Sequence, residues 1–264
     1  MKTARLTILA AGLVLCAGAA APALADAPAL EVGVTAWDAQ ASGQGTSTQG
    51  SGNSTVDLQD DLGMQRQWTG GVHFIWRHDV PIVPNILLEA NHVFNDGDTT
   101  LHRDITWQGK TFQANGPVQS QVDLKTQRIE AFWNPLDNPL VTLRLGLEAR
   151  HLDLNIPVTG VVQGPTGPQK ESASAGGTAW LPLGNLGLTI HLPADIDLSA
   201  EWSYVRYSGS YLSDYRAQVS YTFDSGIVLF AGWREFHLRL DDNKFSVKGD
   251  LDFKGVDTGI GYAF

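Results

Sequence analysis

The sequence predicts an all-β chain: a closed, antiparallel, up-and-down transmembrane β-barrel of about ten strands, with eight or twelve as alternatives. Three observations carry that expectation. Apolar residues recur at every second position along most of the chain. The connections between those stretches alternate between short and long. The last stretch is apolar on one face and ends flush in an aromatic residue, Phe264. A period of two is that of a strand, and a uniformly apolar face needs hydrocarbon or a core against it.

At the amino end, Lys2 and Arg5 precede an apolar run from Leu6 to Leu15 and the small-x-small stretch Ala23-Leu24-Ala25. That order is a secretory signal peptide, residues 1–25, which leaves 26–264 as a single barrel domain. Cys16 is the only cysteine and lies within the signal, after Leu15 rather than a small residue, so no lipid anchor is expected. A mature chain without cysteine, in an oxidising compartment, fits bacterial envelope proteins better than small secreted disulfide scaffolds.

The strands follow in order. Leu30, Val32, Val34 and Ala36 alternate with Glu31, Gly33, Thr35 and Trp37. Trp68, Val72, Phe74 and Trp76 alternate with Gly71, His73 and Arg77, and Ile86, Leu88, Ala90 and Phe94 with Glu89, Asn91 and Asn95. From Val122 to Trp133 the apolar phase switches between Leu124 and Ile129, which predicts a bulge or a strand rising above the bilayer. The cleanest alternation sets Val141, Leu143, Leu145, Leu147 and Ala149 against Thr142, Arg144, Gly146, Glu148 and Arg150. Ile196 to Tyr204 and Tyr215 to Phe223 repeat it, and Ile227, Leu229, Ala231 and Trp233 begin the penultimate strand. Aromatic residues gather toward strand ends, where interface girdles need them.

Short connections fall at His78 to Pro84, Asn134 to Pro139, Pro193 to Asp195 and Asp224 to Gly226. Long loops are expected at Asp38 to Gln67, Asp96 to Gln121, Asn155 to Ala175, Arg206 to Leu212 and Asp241 to Asp250. Ala41 to Thr55, almost wholly Ser, Gly, Gln, Thr and Asn, reads as an irregular mobile loop. Leu101 to Phe112 has room for an extra hairpin around Gln108-Gly109-Lys110. Short turns and both termini then share one rim, predicted to be periplasmic, with the long loops outside the cell.

Composition narrows the function classes. The chain is 43% hydrophobic, yet the mature part has no apolar run long enough for a spanning helix. A formal charge of −10, made more negative by loss of Lys2 and Arg5 with the signal, argues against nucleic acid as a partner. The strand faces opposite the apolar stripe carry Glu89, Arg128, Glu130, Arg144, Glu148, Arg150, Glu201, Arg216 and Arg234. In a narrow barrel such charges must pair. Arg144, Glu148, Arg150, Glu201, Arg216 and Arg234 are therefore the candidate lumen ion-pair residues. The expected result is a plugged or very narrow lumen and a structural or envelope role, with a small-solute pore as the alternative.

Chemistry at the outer rim is a second alternative, as a hydrolase acting on protein or lipid A. Asp60 with Asp61, His151 with Asp153, and Asp241 with Asp242 are the groups that could activate water there. None has motif support, so no catalytic residue and no cofactor is predicted. His73, His92, His102 and His237 have no metal-ligand spacing, and no metal site is expected.

Asp257, Gly259, Tyr262 and Phe264 form a terminal pattern that resembles the signal by which bacterial outer-membrane barrels are read by their assembly machinery. Other landmarks are Asp57-Leu58-Gln59-Asp60-Asp61-Leu62-Gly63, Val80-Pro81-Ile82-Val83-Pro84-Asn85, Leu136-Asp137-Asn138, and Asp214 to Asp242 around Gly232-Trp233-Arg234. Together with the terminal Gly-Tyr-Ala-Phe, they resemble a family of proteobacterial outer-membrane β-barrel proteins with no assigned activity. The resemblance implies the barrel and an outer-membrane location, and it brings no catalytic residues. The partners expected are the lipid bilayer, lipopolysaccharide and the barrel assembly machinery, around a monomer.

Overall fold

The structure, a computed structural model, describes residues 30–78, 80, 82–241 and 244–264. The predicted signal peptide, and Asp79, Pro81 and Asp242 of the motifs above, lie outside the described residues. In chain order the strands are β1 (Leu30–Ser47), β2 (Thr55–Asp57), β3 (Gln67–Trp76), β4 (Asn85–Thr100), β5 (Ile105–Trp107), β6 (Lys110–Phe112) and β7 (Pro117–Asp137). They continue as β8 (Val141–Gly164), β9 (Gly167–Leu192), β10 (Ile196–Tyr207), β11 (Ser210–Thr222), β12 (Ile227–Leu240) and β13 (Val247–Ala263).

Ten of these strands form the wall, each antiparallel to its neighbours, in the ring β1-β3-β4-β7-β8-β9-β10-β11-β12-β13. The ring closes where β1 pairs β13, from Glu31↔Ala263 to Ser47↔Val247. The three short strands belong to connections: β2 lies along the top of β1, and β5–β6 is the expected extra hairpin. Its two-residue loop has positive φ at Gln108 (52°) and Gly109 (73°), the type I′ geometry that matches strand twist.

The apolar faces read from period two point outward. Val32, Val34, Val72, Leu145, Leu147, Val219, Val256 and Ile260 are exposed, Leu147 at 67%. Aromatic girdles bound this band. One carries Trp68, Trp180, Trp202, Tyr204, Tyr215 and Trp233; the other carries Trp76, Tyr221, Phe223, Tyr262 and Phe264. Trp68 and Trp76 are eight residues apart on β3, roughly 27 Å along a strand. With the usual tilt that is roughly 20 Å of height, close to the apolar band of a membrane barrel.

Above the girdle nearest the long loops, the two faces of the wall exchange character. On β8 the inward residues run Arg144, Glu148, Arg150 and then Leu152, Leu154, Ile156 and Val158, all four buried. The outward residues run Leu145, Leu147 and then His151, Asp153 and Asn155. β7 behaves alike: Ile129 faces outward and Leu124 inward. Its pairing with β4 is unbroken from Asn85↔Phe132 to Thr100↔Pro117. The phase switch is therefore a strand rising above the bilayer and not a bulge, and the irregularity in β7 lies lower, between Trp133 and Leu136.

Two expectations are corrected here. The outer half of the interior is apolar rather than charged: Trp37, Val122, Leu124, Leu154, Phe236, Leu251 and Phe253 form one buried cluster. The loops complete it, with Val56, Leu58, Leu62 and Met64 from one and Leu101, Ile105, Trp107 and Phe112 from another. The long loops are also mostly strand. β1 continues through Ala41 to Ser47, β8 and β9 meet at a turn between Gly164 and Gly167, and β10 and β11 meet at Ser208-Gly209. Ser42, Gln44 and Thr46 form the outward face there, and Ala39, Ala41 and Gly45 are buried on the other.

Replacing Leu154 with Ala is expected to cost about 2–5 kcal/mol by leaving a cavity in this core. The same change at Leu147, on the lipid face, leaves no cavity and is expected to cost only the transfer term, about 1–2 kcal/mol. Urea unfolding in detergent micelles measures both, and equal losses would contradict the two-sided wall.

Candidate functional site

Halfway through the barrel, below the apolar fill, the inward positions of seven strands bring charges together. β4 contributes Glu89; β7, Arg128 and Glu130; β8, Arg144, Glu148 and Arg150; β10, Glu201; β11, Asp214 and Arg216; β12, Arg234; β13, Asp257. Alternation alone aims them all inward.

Arg128 is the hub. Its guanidinium meets Glu130 and Glu201 in short ion pairs, Glu148 at 3.0 Å and Glu89 at 3.5 Å. Arg144 forks onto Glu130, with Nε and Nη2 donating at 3.0 and 2.7 Å. Arg150 pairs with Glu148 and, at 2.6 Å, with Asp214. Arg234 forks onto Asp214 at 3.0 and 2.9 Å. Arg216 reaches Glu89 at 2.8 Å and Asp257 at 3.1 Å. Asn185 donates to Glu201 and to Ser203, both at 2.9 Å, and Ser203 donates to Glu148 at 2.8 Å.

Packing holds the network in place. Arg144 lies 3.8 Å over the Phe132 ring and Arg234 4.8 Å over Trp37, so each planar cation has an aromatic face beneath it. Gly187 faces Arg144 across β8–β9, and a Cβ there would lie 3.2 Å from Arg144 Cβ. Gly146, one turn of the alternation away, leaves the room that the Glu130 carboxylate fills.

Below this layer the interior is open. A cavity of about 480 Å³ faces the short-turn rim, with Arg144, Glu201 and Arg216 at its inner end. One wall holds Glu31 between His73 (3.3 Å) and Arg77 (3.1 Å). The opposite wall holds His191, 2.7 Å from Asp197 and 2.9 Å from the Thr142 hydroxyl. The lumen is thus a polar cup, a charged floor and an apolar stopper.

All six candidate ion-pair residues lie in or beside this network. Asp214 and Asp257, neither among those candidates, complete it. The available signal was parity: Asp214 shares its face with Arg216, and Asp257 is an inward residue of the last strand. In the terminal pattern, Asp257 is fully buried, whereas Tyr262 and Phe264 face outward at the girdle and Gly259 packs inward against Phe230.

Among the described residues the rim candidates do not converge. Asp61 binds Arg103 and accepts the Asp57 amide at 2.9 Å, within a turn whose Asp60 is exposed. His151 packs beside Trp180, ring centroids 5.0 Å apart, on the outer wall, with Asp153 opposite Lys125 in register. Asp241 pairs with Lys248 at 3.1 Å. His73, His92 and His237 each meet a different carboxylate: Glu31, Asp123 and Asp252.

No protein-family model matches the sequence, and no curated protein matches it significantly. Among solved structures, the chain is similar to the outer membrane protease OmpT from Escherichia coli. The TM-score is 0.57 at 10% identity, over 92% of this chain and 99% of that one. The transport unit of the autotransporter AIDA-I from Escherichia coli gives 0.41 at 11% identity, over 89% and 90%. Ail of Yersinia pestis gives 0.33 at 10%, over 90% and 99%. The first likeness shows the fold, that of an outer-membrane β-barrel; the other two are too loose to add to it.

Replacing Arg128 with Met leaves Glu89, Glu130, Glu148 and Glu201 short of a shared cation. The expected loss is about 3–5 kcal/mol. Adding Glu201→Gln should recover part of that loss, because the two residues are coupled. Unfolding midpoints of the single and double variants decide it, and simple additivity would mean that the pair carries no coupling.

Proposed function

We propose that this protein is an integral outer-membrane barrel whose lumen is kept shut, with a structural or envelope role rather than solute passage. The carrying observation is the doubled closure: a cross-lumen ion-pair layer beneath a filled apolar stratum. A conducting path would have to break both. In this reading the short-turn rim with both termini faces the periplasm, and the cup opens there.

The likeness to a protease fold supplies no catalytic group, and the rim acids sit apart in unrelated turns and walls. The closed barrel is therefore preferred over a hydrolase. The resemblance to proteobacterial barrels without assigned activity agrees with it, and the partners this reading carries are lipid, lipopolysaccharide and the assembly machinery, around a monomer.

Planar-bilayer recording on refolded protein should be silent. Discrete steps whose ion selectivity changes with Arg144→Glu would restore the small-solute pore.

Assembly gives a separate test. Phe264 is exposed at the girdle, and its backbone exchanges hydrogen bonds with Leu30 at 2.9 Å in each direction. A charge placed in the girdle costs free energy without breaking those bonds. Phe264→Asp is expected to cut the heat-modifiable fraction in cell envelopes several-fold. Wild-type levels would remove the terminal residue from any recognition role.

A further inference from the structure

The outward faces of β10 to β13 carry a patch that rises out of the aromatic girdle and takes no part in closing the lumen. Register sets Arg206, Tyr211, Arg239 and Asp250 side by side on four neighbouring strands. One step lower the row is Tyr204, Ser213, His237 and Asp252, and below that Trp202, Tyr215, Glu235 and Lys254. The lowest row is part of the aromatic girdle.

Rings climb out of that girdle. Trp202 and Tyr204 lie 5.3 Å apart and Tyr204 and Tyr211 6.4 Å. Tyr211 stacks on His237 at 4.9 Å and 7°, and its hydroxyl lies 2.7 Å from His237 Nε2. Tyr211 is four residues beyond Tyr215 on β11, roughly 10 Å of height on a tilted strand. That is the level of lipid headgroups, where amphipathic rings with one polar end are favoured.

The charges of the patch are unevenly engaged. Glu235 accepts the Trp233 indole N–H at 2.9 Å, and His237 takes up Asp252 and, at 3.6 Å, Asp250. Arg239 is half exposed and held only loosely, 3.8 Å from Asp250. Among the described residues Arg206 is exposed and has no ion-pair partner. Two available guanidinium forks therefore flank the Tyr211 ring.

We propose that this patch binds the phosphorylated sugar headgroup of a glycolipid in the surrounding outer leaflet. The sugar ring lies against Tyr204 and Tyr211, and its phosphate is received by Arg206 and Arg239. Guanidinium forks match phosphate oxygens in pairs, and rings give a sugar an apolar face to cover. The patch is continuous with the belt that meets lipid, so its occupant is a lipid of that leaflet and not a soluble molecule. The assignment rests on the outer-membrane reading above.

The test uses refolded, heat-modifiable protein in neutral detergent micelles doped with bisphosphorylated lipid A, with its dephosphorylated form, or with phosphatidylglycerol. Bisphosphorylated lipid A is expected to raise the unfolding temperature by about 5 °C, the size a saturating ligand produces. The dephosphorylated form should give no rise. Arg206→Ser with Arg239→Ser should abolish the shift, and Lys125→Ser on the opposite wall should keep it. If the double variant loses heat-modifiability, the exposed Arg206→Ser alone should halve the shift. No rise, an equal rise with phosphatidylglycerol, or an equal loss in Lys125→Ser overturns the proposal. Channel steps in the bilayer recording would instead overturn the closed lumen and leave this result standing.

Discussion

Hydrocarbon offers a backbone amide no partner, and that refusal governs the whole molecule. A sheet surrounded by lipid can have no edge, so the first wall strand must pair with the last. Here Leu30 and Phe264 exchange backbone hydrogen bonds at the rim, and β1 follows β13 for its whole length above them. The final strand is thus the seam of the cylinder. Its outward Val256, Ile260 and Tyr262 join the lipid belt, and its inward Asp257 anchors it to Arg216. Lipid contact, closure and the charged interior meet in one segment.

The charged layer follows from the same closure. A narrow ring forces inward side chains into contact, and charges taken out of water must find opposite charges. Bonds within one strand or to a neighbour would satisfy that need, yet several here cross the lumen: Arg128 on β7 to Glu201 on β10, and Arg216 on β11 to Glu89 on β4. Such links brace the cylinder across its width as well as neutralising it. Because Arg128 serves four carboxylates, its removal weakens charge pairing on four strands at once and leaves Glu201 with no ion-pair partner among the described residues. The layer is costly to build and costlier to break, which suits a wall that must not deform.

Much of this was legible in the residues, and the part that was not has a physical cause. Period two located the lipid-facing band strand by strand, and mixed charges on the opposite face announced pairing. Alternation states which face a side chain takes but not what it meets across a lumen, so Asp214 and Asp257 went unrecognised as partners. The apolar stopper was hidden for another reason. Leu152 and Leu154 continue the parity of Arg144 and Arg150 past the charged stretch, and Ile156 and Val158 carry it into Asn155 to Ala175, which reads as loop. Trp107 and Phe112, which plug the mouth, come from a genuine connection with no periodicity to follow. The one visible trace was the phase switch between Leu124 and Ile129, the signature of a wall whose two solvents trade places.

The rule that closes the barrel also shows where it stops applying. β9 pairs with β8 along its full length, but with β10 only up to Gly184↔Tyr204. Above that pair, among the described residues, one edge of β9 has no strand beside it. The same height is where the inward face of β9 changes from Asn185 to the buried Leu183 and that of β10 from Ser203 to Val205. An open edge is tolerable only where water can reach the backbone, so this edge lies beyond the hydrocarbon. It is also blunted. Gly176 turns its amide and carbonyl to this edge, where Ser246 satisfies both, at 2.9 and 2.8 Å. Pro168 and Pro182 share its parity and so turn their missing N–H the same way, the placement that prolines take on edge strands. Lys110 covers the Ser172 carbonyl at 2.8 Å. The exchange of faces and the end of ring closure are independent marks of a membrane surface, and they fall at one level.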